Sequence, residues 1–112
     1  MVKVLKLNFI SPKVNDVLDK NYEITSECDN PDLILVRSAQ MADYVLPESV
    51  VAIGRAGAGV NNIPHAEYAK RGVVVFNSPG ANANAVKELV ITALLLSCRK
   101  IIEGIKWLSL IH

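Results

Sequence analysis

Three short, unbroken apolar runs, Leu33–Val36, Val50–Ile53 and Val73–Phe76, constrain this chain most. Each is too short for a buried helix and has no polar alternation. That is the pattern of a strand covered on both faces of a parallel sheet. Two more segments read as strands: Val2–Ile10, and the shorter Tyr22–Thr25. Helical spacing separates them. Ser11 is placed to cap a helix with Pro12 in its first turn, and Val14, Val17 and Leu18 form an i, i+3, i+4 stripe expected to face the core. A short helix is expected over Ala39–Tyr44 and another over Pro64–Lys70, with Gly72 suited to the left-handed position after the latter. A long final helix, capped by Asn82 or Asn84, is expected to run to about Lys100 or beyond.

Strands alternating with helices predict an α/β fold: an open, doubly wound parallel sheet with helices on both faces. In such sheets ligands bind beyond the carboxyl ends of the strands. Three segments fall there: Arg37-Ser38, Gly54 to Asn62, and Asn77 to Asn84.

The first glycine-rich segment, Gly54-Arg55-Ala56-Gly57-Ala58-Gly59, is not a dinucleotide fingerprint. That motif needs a third glycine as the chain enters a helix, and an acidic residue about 20 positions on. Here Val60-Asn61-Asn62 follows, and the later region is Asn77-Ser78-Pro79. The amides of Gly57, Ala58 and Gly59 can form a nest for a carboxylate or phosphate, or the segment can be a tight structural turn. Arg37 and Arg55 each sit at a strand's ligand edge. They read either as forks for a small anionic ligand or as surface cations paired with acids such as Asp43 or Glu67. The amides of Asn77, Asn82 and Asn84 fit turn and cap chemistry, or contact with a polar ligand. Glu88, one turn into the last helix, suits the positive helix end better than catalysis.

Composition sets the limits. In 112 residues, 51% are hydrophobic and the net charge is +1, which describes one globular domain without a basic face for nucleic acid or acidic lipid. Cys28 and Cys98 are far apart, without zinc-ligand spacing to His65 or His112, so two reduced thiols of a cytoplasmic protein are expected and no metal. The apolar stretch Leu89–Cys98 is half the roughly 20 residues a membrane span needs, and the amino terminus lacks a signal-peptide pattern. No acid–base pair converges, so no catalytic residue is assigned to this chain.

The run Gly54-Arg-Ala-Gly-Ala-Gly-Val-Asn-Asn-Ile-Pro64, followed by Gly72-Val-Val-Val-Phe-Asn-Ser-Pro-Gly-Ala-Asn-Ala-Asn-Ala-Val-Lys-Glu-Leu89 and preceded by Leu35-Val-Arg-Ser38, resembles the D-3-phosphoglycerate dehydrogenases. These belong to the D-isomer-specific 2-hydroxyacid dehydrogenases. The resemblance implies a flavodoxin-like or Rossmann-like substrate domain over residues 1–100, with 101–112 beginning the connection to an absent NAD-binding domain. It also implies NAD-dependent oxidation of 3-phosphoglycerate in serine biosynthesis. Arg37 and Ser38 would lie near the substrate phosphate, Arg55, Gly57, Ala58 and Gly59 would meet the substrate, and Asn82 would approach the cofactor or substrate across the cleft. Asn61 stands where relatives often carry aspartate.

The family's arginine, glutamate and histidine for hydride and proton transfer have no match here. The chain alone is therefore expected to be inactive, a fragment supplying substrate-binding parts. Its apolar end, from Ile101 to Ile111, is expected to leave an exposed patch through which the chain forms a homo-oligomer. Two alternatives stand beside this reading. One is another D-2-hydroxyacid dehydrogenase, whose unphosphorylated substrate has less need of Arg37. The other is a non-catalytic flavodoxin-like binding or interaction module, although a receiver domain would need acidic residues where Asn8-Phe9-Ile10-Ser11 stands.

Overall fold

A computed structural model describes residues 1–111 and divides into two compact units, Met1–Pro79 and Gly80–His112, with His112 itself outside the described residues. In the first unit the elements run β1 (Val2–Lys6), α1 (Val14–Val17), β2 (Tyr22–Thr25), β3 (Leu33–Val36), β4 (Ala52–Arg55), α2 (His65–Lys70) and β5 (Val74–Phe76). The strands form one parallel sheet in the order β2-β1-β3-β4-β5, so the winding direction reverses between β1 and β3. This is the open α/β sheet that the apolar runs predict, and β2 and β3 occupy the expected residues.

Register explains which side chains meet. Leu5 pairs with Ile34, Ile34 with Ile53, and Ile53 with Val75, and this row faces the core. Ile34, Val36, Met41 and Ile53 are fully buried there, together with Leu46, Val50, Ile63, Tyr68 and Val73. Each such side chain contributes about 1.5–3 kcal/mol by leaving water. Tyr68 brings α2 onto this layer, and its hydroxyl donates to the Met41 carbonyl at 3.3 Å. Burial, more than any neighbouring charge, pushes its phenol above the ordinary tyrosine range.

The opposite face is unevenly covered. Its row Val4, Leu33, Ala52, Val74 goes from fully buried at Val4 to 51% exposed at Val74, and Phe76 beyond it is 59% exposed. Val14 and Ile10 border this face, lining a cavity of about 230 Å³ with Leu35, Gly54 and Phe76. The expected stripe of Val14, Val17 and Leu18 is not core. α1 is a single turn of four residues, Val17 is 82% exposed, and no residue of the helix is buried. One turn pays the full cost of helix nucleation and presents too little surface to cover a sheet.

Other boundaries also differ from the sequence pattern. β1 ends at Lys6 rather than Ile10. β4 lies two residues later than the run Val50–Ile53, because Val50 fills the core ahead of the strand while Gly54 and Arg55 continue the ladder with Leu35 and Val36. Ala39–Tyr44 forms a turn, not a helix. The Met41 N–H donates to the carbonyl of Asn62 at 2.9 Å, and the segment closes as one turn with the Tyr44 N–H on the Met41 carbonyl at 3.2 Å. α2 starts at His65 with Pro64 before it, and Gly72 takes φ +78°, as its place after the helix requires. Ser11 does not cap α1 directly: Lys13 holds the cap position, and its N–H reaches the Ser11 hydroxyl at 3.4 Å.

The second unit contains α3 (Ala83–Cys98) and α4 (Ile101–Ile111). The expected single long helix is interrupted at Lys100, which takes φ 50°, a left-handed conformation that ends a helix. Asn82 stands at the cap position of α3 without a side-chain cap bond, and the Asn84 amide donates to Glu88 Oε1 at 3.2 Å one turn on. Neither helix has a buried residue. Among the described residues, no helix is long and apolar enough to cross a membrane.

Candidate functional site

The carboxyl ends of β1, β3, β4 and β5 bring four segments of the first unit to one edge: Asn8, the turn Arg37-Ser38, the loop Ala56–Asn62, and Asn77-Ser78. They are joined by bonds from side chains to backbone. Ser78 donates from Oγ to the Arg55 carbonyl at 3.1 Å, and its N–H donates to the Gly57 carbonyl at 2.9 Å. The Asn77 amide donates to the Ala58 carbonyl at 2.6 Å. Arg55 turns back over its own loop, with Nε donating to the Arg37 carbonyl at 3.0 Å and Nη1 to the Gly59 carbonyl.

These bonds occupy the carbonyls of Gly57, Ala58 and Gly59. In a planar trans peptide the following N–H points the opposite way. The N–H groups of Ala58, Gly59 and Val60 are therefore turned away from the bracing groups. Among the described residues, nothing accepts from them or from Gly57. A short run of unpaired amides is the physical requirement for an anion nest.

The glycines serve this arrangement in a way the sequence does not reveal. A Cβ on Gly57 would come within 3.1 Å of the Arg55 guanidinium carbon, and one on Gly59 within 3.3 Å of Nη1. Both leave room for the arginine to fold back. Arg55 is thus half-buried with backbone carbonyls as partners, rather than carboxylates. Arg37 and Ser38 are exposed on the adjacent turn. Two cations and a row of amides on one edge can attract and orient a small, multiply anionic ligand.

Of the residues singled out from sequence, Arg37, Ser38, Arg55, Gly57, Ala58 and Gly59 lie together at this edge, and so does Asn77. Asn82 belongs to the second unit. His65, in the first turn of α2, is exposed. Sequence reasoning missed Asn8 and Asn62, whose side chains hold the Arg37-Ser38 turn from two sides. Their partners lie 23 to 30 residues away, so spacing carries no local signal of the role.

The glycine loop does not enter a helix as a dinucleotide cradle requires. It runs into a turn at Asn61 to Ile63 instead, and α2 begins only at His65. Among the described residues, no group of three or more His, Cys, Asp or Glu is placed to hold a metal ion.

Comparison with known proteins agrees with this architecture. The family model described as D-isomer specific 2-hydroxyacid dehydrogenase, catalytic domain, matches residues 1–106. The D-3-phosphoglycerate dehydrogenase of Archaeoglobus fulgidus is 33% identical, over 89% of this chain and 22% of its own length. The hydroxypyruvate reductase of Thermotoga maritima is 34% identical, over 78% of the chain and 36% of its own length. The D-3-phosphoglycerate dehydrogenase of Escherichia coli is 46% identical over a shorter stretch, 51% of the chain and 14% of the enzyme. The chain spans from about a seventh to about a third of the length of these relatives.

Proposed function

Since the chain belongs to the D-isomer specific 2-hydroxyacid dehydrogenase family, we propose that it supplies substrate-binding parts of an NAD-dependent D-3-phosphoglycerate dehydrogenase that oxidises 3-phosphoglycerate to 3-phosphohydroxypyruvate in serine biosynthesis. One observation carries this reading: Arg37 and Ser38 stand beside the unpaired amides of Gly57 to Val60 on a single sheet edge. A substrate with a carboxylate and a phosphate needs two anion-binding places. The amide row suits the carboxylate, and the exposed Arg37 guanidinium with the Ser38 hydroxyl suits the phosphate. Arg55 shapes the loop and adds positive charge to it.

The residues present bind and orient. They do not fit NAD, whose pyrophosphate needs a glycine turn entering a helix. The cofactor is accordingly assigned mainly to a separate domain, with Asn82 approaching it. On this reading residues 1–100 belong to the substrate domain and 101–112 begin the link between the two. The chain by itself is inactive, because nothing at the edge serves as a general base.

Replacing Arg37 with alanine is expected to weaken 3-phosphoglycerate binding by roughly 10- to 100-fold, the cost of one charge-assisted contact, and to change lactate binding far less. Equal effects on the two ligands would overturn the phosphate assignment. The similarity to a hydroxypyruvate reductase favours a second reading, a dehydrogenase for an unphosphorylated 2-hydroxyacid, and the same comparison decides between them.

The second unit supports self-association. Leu89, Leu94, Leu95, Ile105, Trp107 and Leu110 are all more than half exposed on α3 and α4. Stable dimers bury about 800 Å² per partner, an area that a dozen half-exposed large apolar side chains can supply. Light scattering is expected to show a homo-oligomer whose fraction grows with concentration, and a strict monomer at high concentration contradicts it.

A further inference from the structure

Two asparagines outside the glycine-rich motif grip the Arg37-Ser38 turn. From the end of β1, Asn8 accepts the Arg37 N–H at Oδ1, at 2.9 Å, and donates from Nδ2 to the Ser38 hydroxyl oxygen, also at 2.9 Å. From the far end of the glycine loop, Asn62 donates from Nδ2 to the carbonyls of Ala39, at 2.8 Å, and Arg37, at 3.5 Å. Asn62 is only 5% exposed, and its Oδ1 has no partner among the described residues. Its own carbonyl accepts the Met41 N–H at 2.9 Å, so backbone and side chain hold the same segment.

The two positions make opposite chemical demands. At position 8 the Arg37 N–H requires an acceptor, while the Ser38 hydroxyl can either accept or donate. A carboxylate therefore satisfies both contacts: one oxygen takes the Arg37 N–H and the other takes the Ser38 proton. At position 62 the partners are two carbonyls, which require a donor. A carboxylate there sets an oxygen against the Ala39 and Arg37 carbonyls and brings a charge into a buried position, where the neighbouring Arg55 guanidinium is already engaged with backbone carbonyls. Size and shape are the same in both replacements, and only hydrogen-bond polarity separates their outcomes.

We infer that Asn8 and Asn62 are positioning residues for the anion site: they fix the Arg37-Ser38 turn so that its guanidinium and hydroxyl meet the ligand, without touching the ligand themselves. This rests on the proposed role of that turn in binding the substrate phosphate. It adds to it the requirement that position 8 present an acceptor and position 62 a donor.

The test uses this chain with alanine and aspartate at each position, Asn8→Ala, Asn8→Asp, Asn62→Ala and Asn62→Asp. Amide exchange at Arg37 is followed by nuclear magnetic resonance, and 3-phosphoglycerate is titrated into each variant. Asn8→Ala removes both bonds to the turn and is expected to weaken 3-phosphoglycerate about tenfold; Arg37 exchange is expected to speed up about tenfold, the worth of the one bond its N–H loses. Asn8→Asp is expected to restore both to within about threefold, whereas Asn62→Asp recovers nothing lost in Asn62→Ala. A purely space-filling role predicts that aspartate rescues at both positions, and that result overturns the inference. So does an Asn8→Ala chain that keeps wild-type exchange and affinity. If a change at Asn62 unfolds the chain, the half-buried position 8 pair still decides. If the unaltered chain fails to bind 3-phosphoglycerate, the proposed function falls, and the Arg37 exchange pattern alone judges the positioning role.

Discussion

Replacing Arg55 with leucine is expected to abolish measurable 3-phosphoglycerate binding and to loosen the glycine loop in the same step. The side chain's fork joins two strand ends, donating to the carbonyls of Arg37 and Gly59. Leucine fills part of the volume and makes neither bond. Hydrogen bonds from a charged donor are worth about 1.5–3 kcal/mol each, and the half-exposed setting places these near the lower limit. Both bonds exist in the free chain, so their loss falls on the order of the loop, and the lost positive charge together with the disordered amide row is expected to weaken affinity by roughly 100-fold. The peptides at Ala58 and Gly59 are then free to rotate, so the amide row loses its direction as well. Arg55→Lys is expected to rescue little, since an ammonium is a point charge without the fixed fork that spans both carbonyls. Calorimetric titration of wild type, leucine and lysine variants with 3-phosphoglycerate checks this. Wild-type affinity in the lysine variant would show that charge alone matters and that the fork does not.

Ile53→Ala is expected to cost about 2–5 kcal/mol of folding stability, the range for deleting a large aliphatic side chain from a closed core. Ile53 is fully buried in the central row of the sheet, with Ile34 on one side and Val75 on the other. Domains of this size have only about 5–15 kcal/mol in total, so the variant loses a large share of its margin. β4 also carries Gly54 and Arg55 into the site, and a loosened strand is expected to weaken ligand binding in parallel. Val17→Ala is the control. That side chain is 82% exposed, and its loss is expected to change stability by less than about 0.5 kcal/mol. Urea denaturation compares the two, and similar costs for both would contradict the burial of Ile53 and the exposure of Val17.

The fold was legible where local pattern and tertiary demand coincide. Leu33–Val36 is a strand by composition and is held on both sides by other strands, so its limits read directly. Gly72 was legible because a left-handed residue must follow α2 and glycine takes that conformation freely. The pattern failed where distant atoms decide. Ala39–Tyr44 has helical composition, yet Met41 is bonded to Asn62 instead. The stripe at Val14, Val17 and Leu18 has correct spacing on a helix too short to use it.

The site divides in the same way. Arg37, Ser38, Arg55 and the glycine loop were visible because each directly follows or ends an apolar strand, and strand ends of a parallel sheet share one edge. The inward turn of Arg55 was not visible, since spacing does not reveal whether a guanidinium faces ligand or backbone. Asn8 and Asn62 were invisible for the related reason that their hydrogen bonds cross from one strand end to another. Family membership was legible from the ordered glycine, arginine and asparagine motifs, and the family model matching residues 1–106 agrees with it.

The most direct measurement of the central claim is a titration of the isotope-labelled chain with 3-phosphoglycerate, read at every backbone amide. Saturable shifts shared by Arg37, Ser38 and the run from Gly57 to Val60 are expected, with one common affinity. Shifts confined to other parts of the chain, or none at those six amides at saturating ligand, would contradict it.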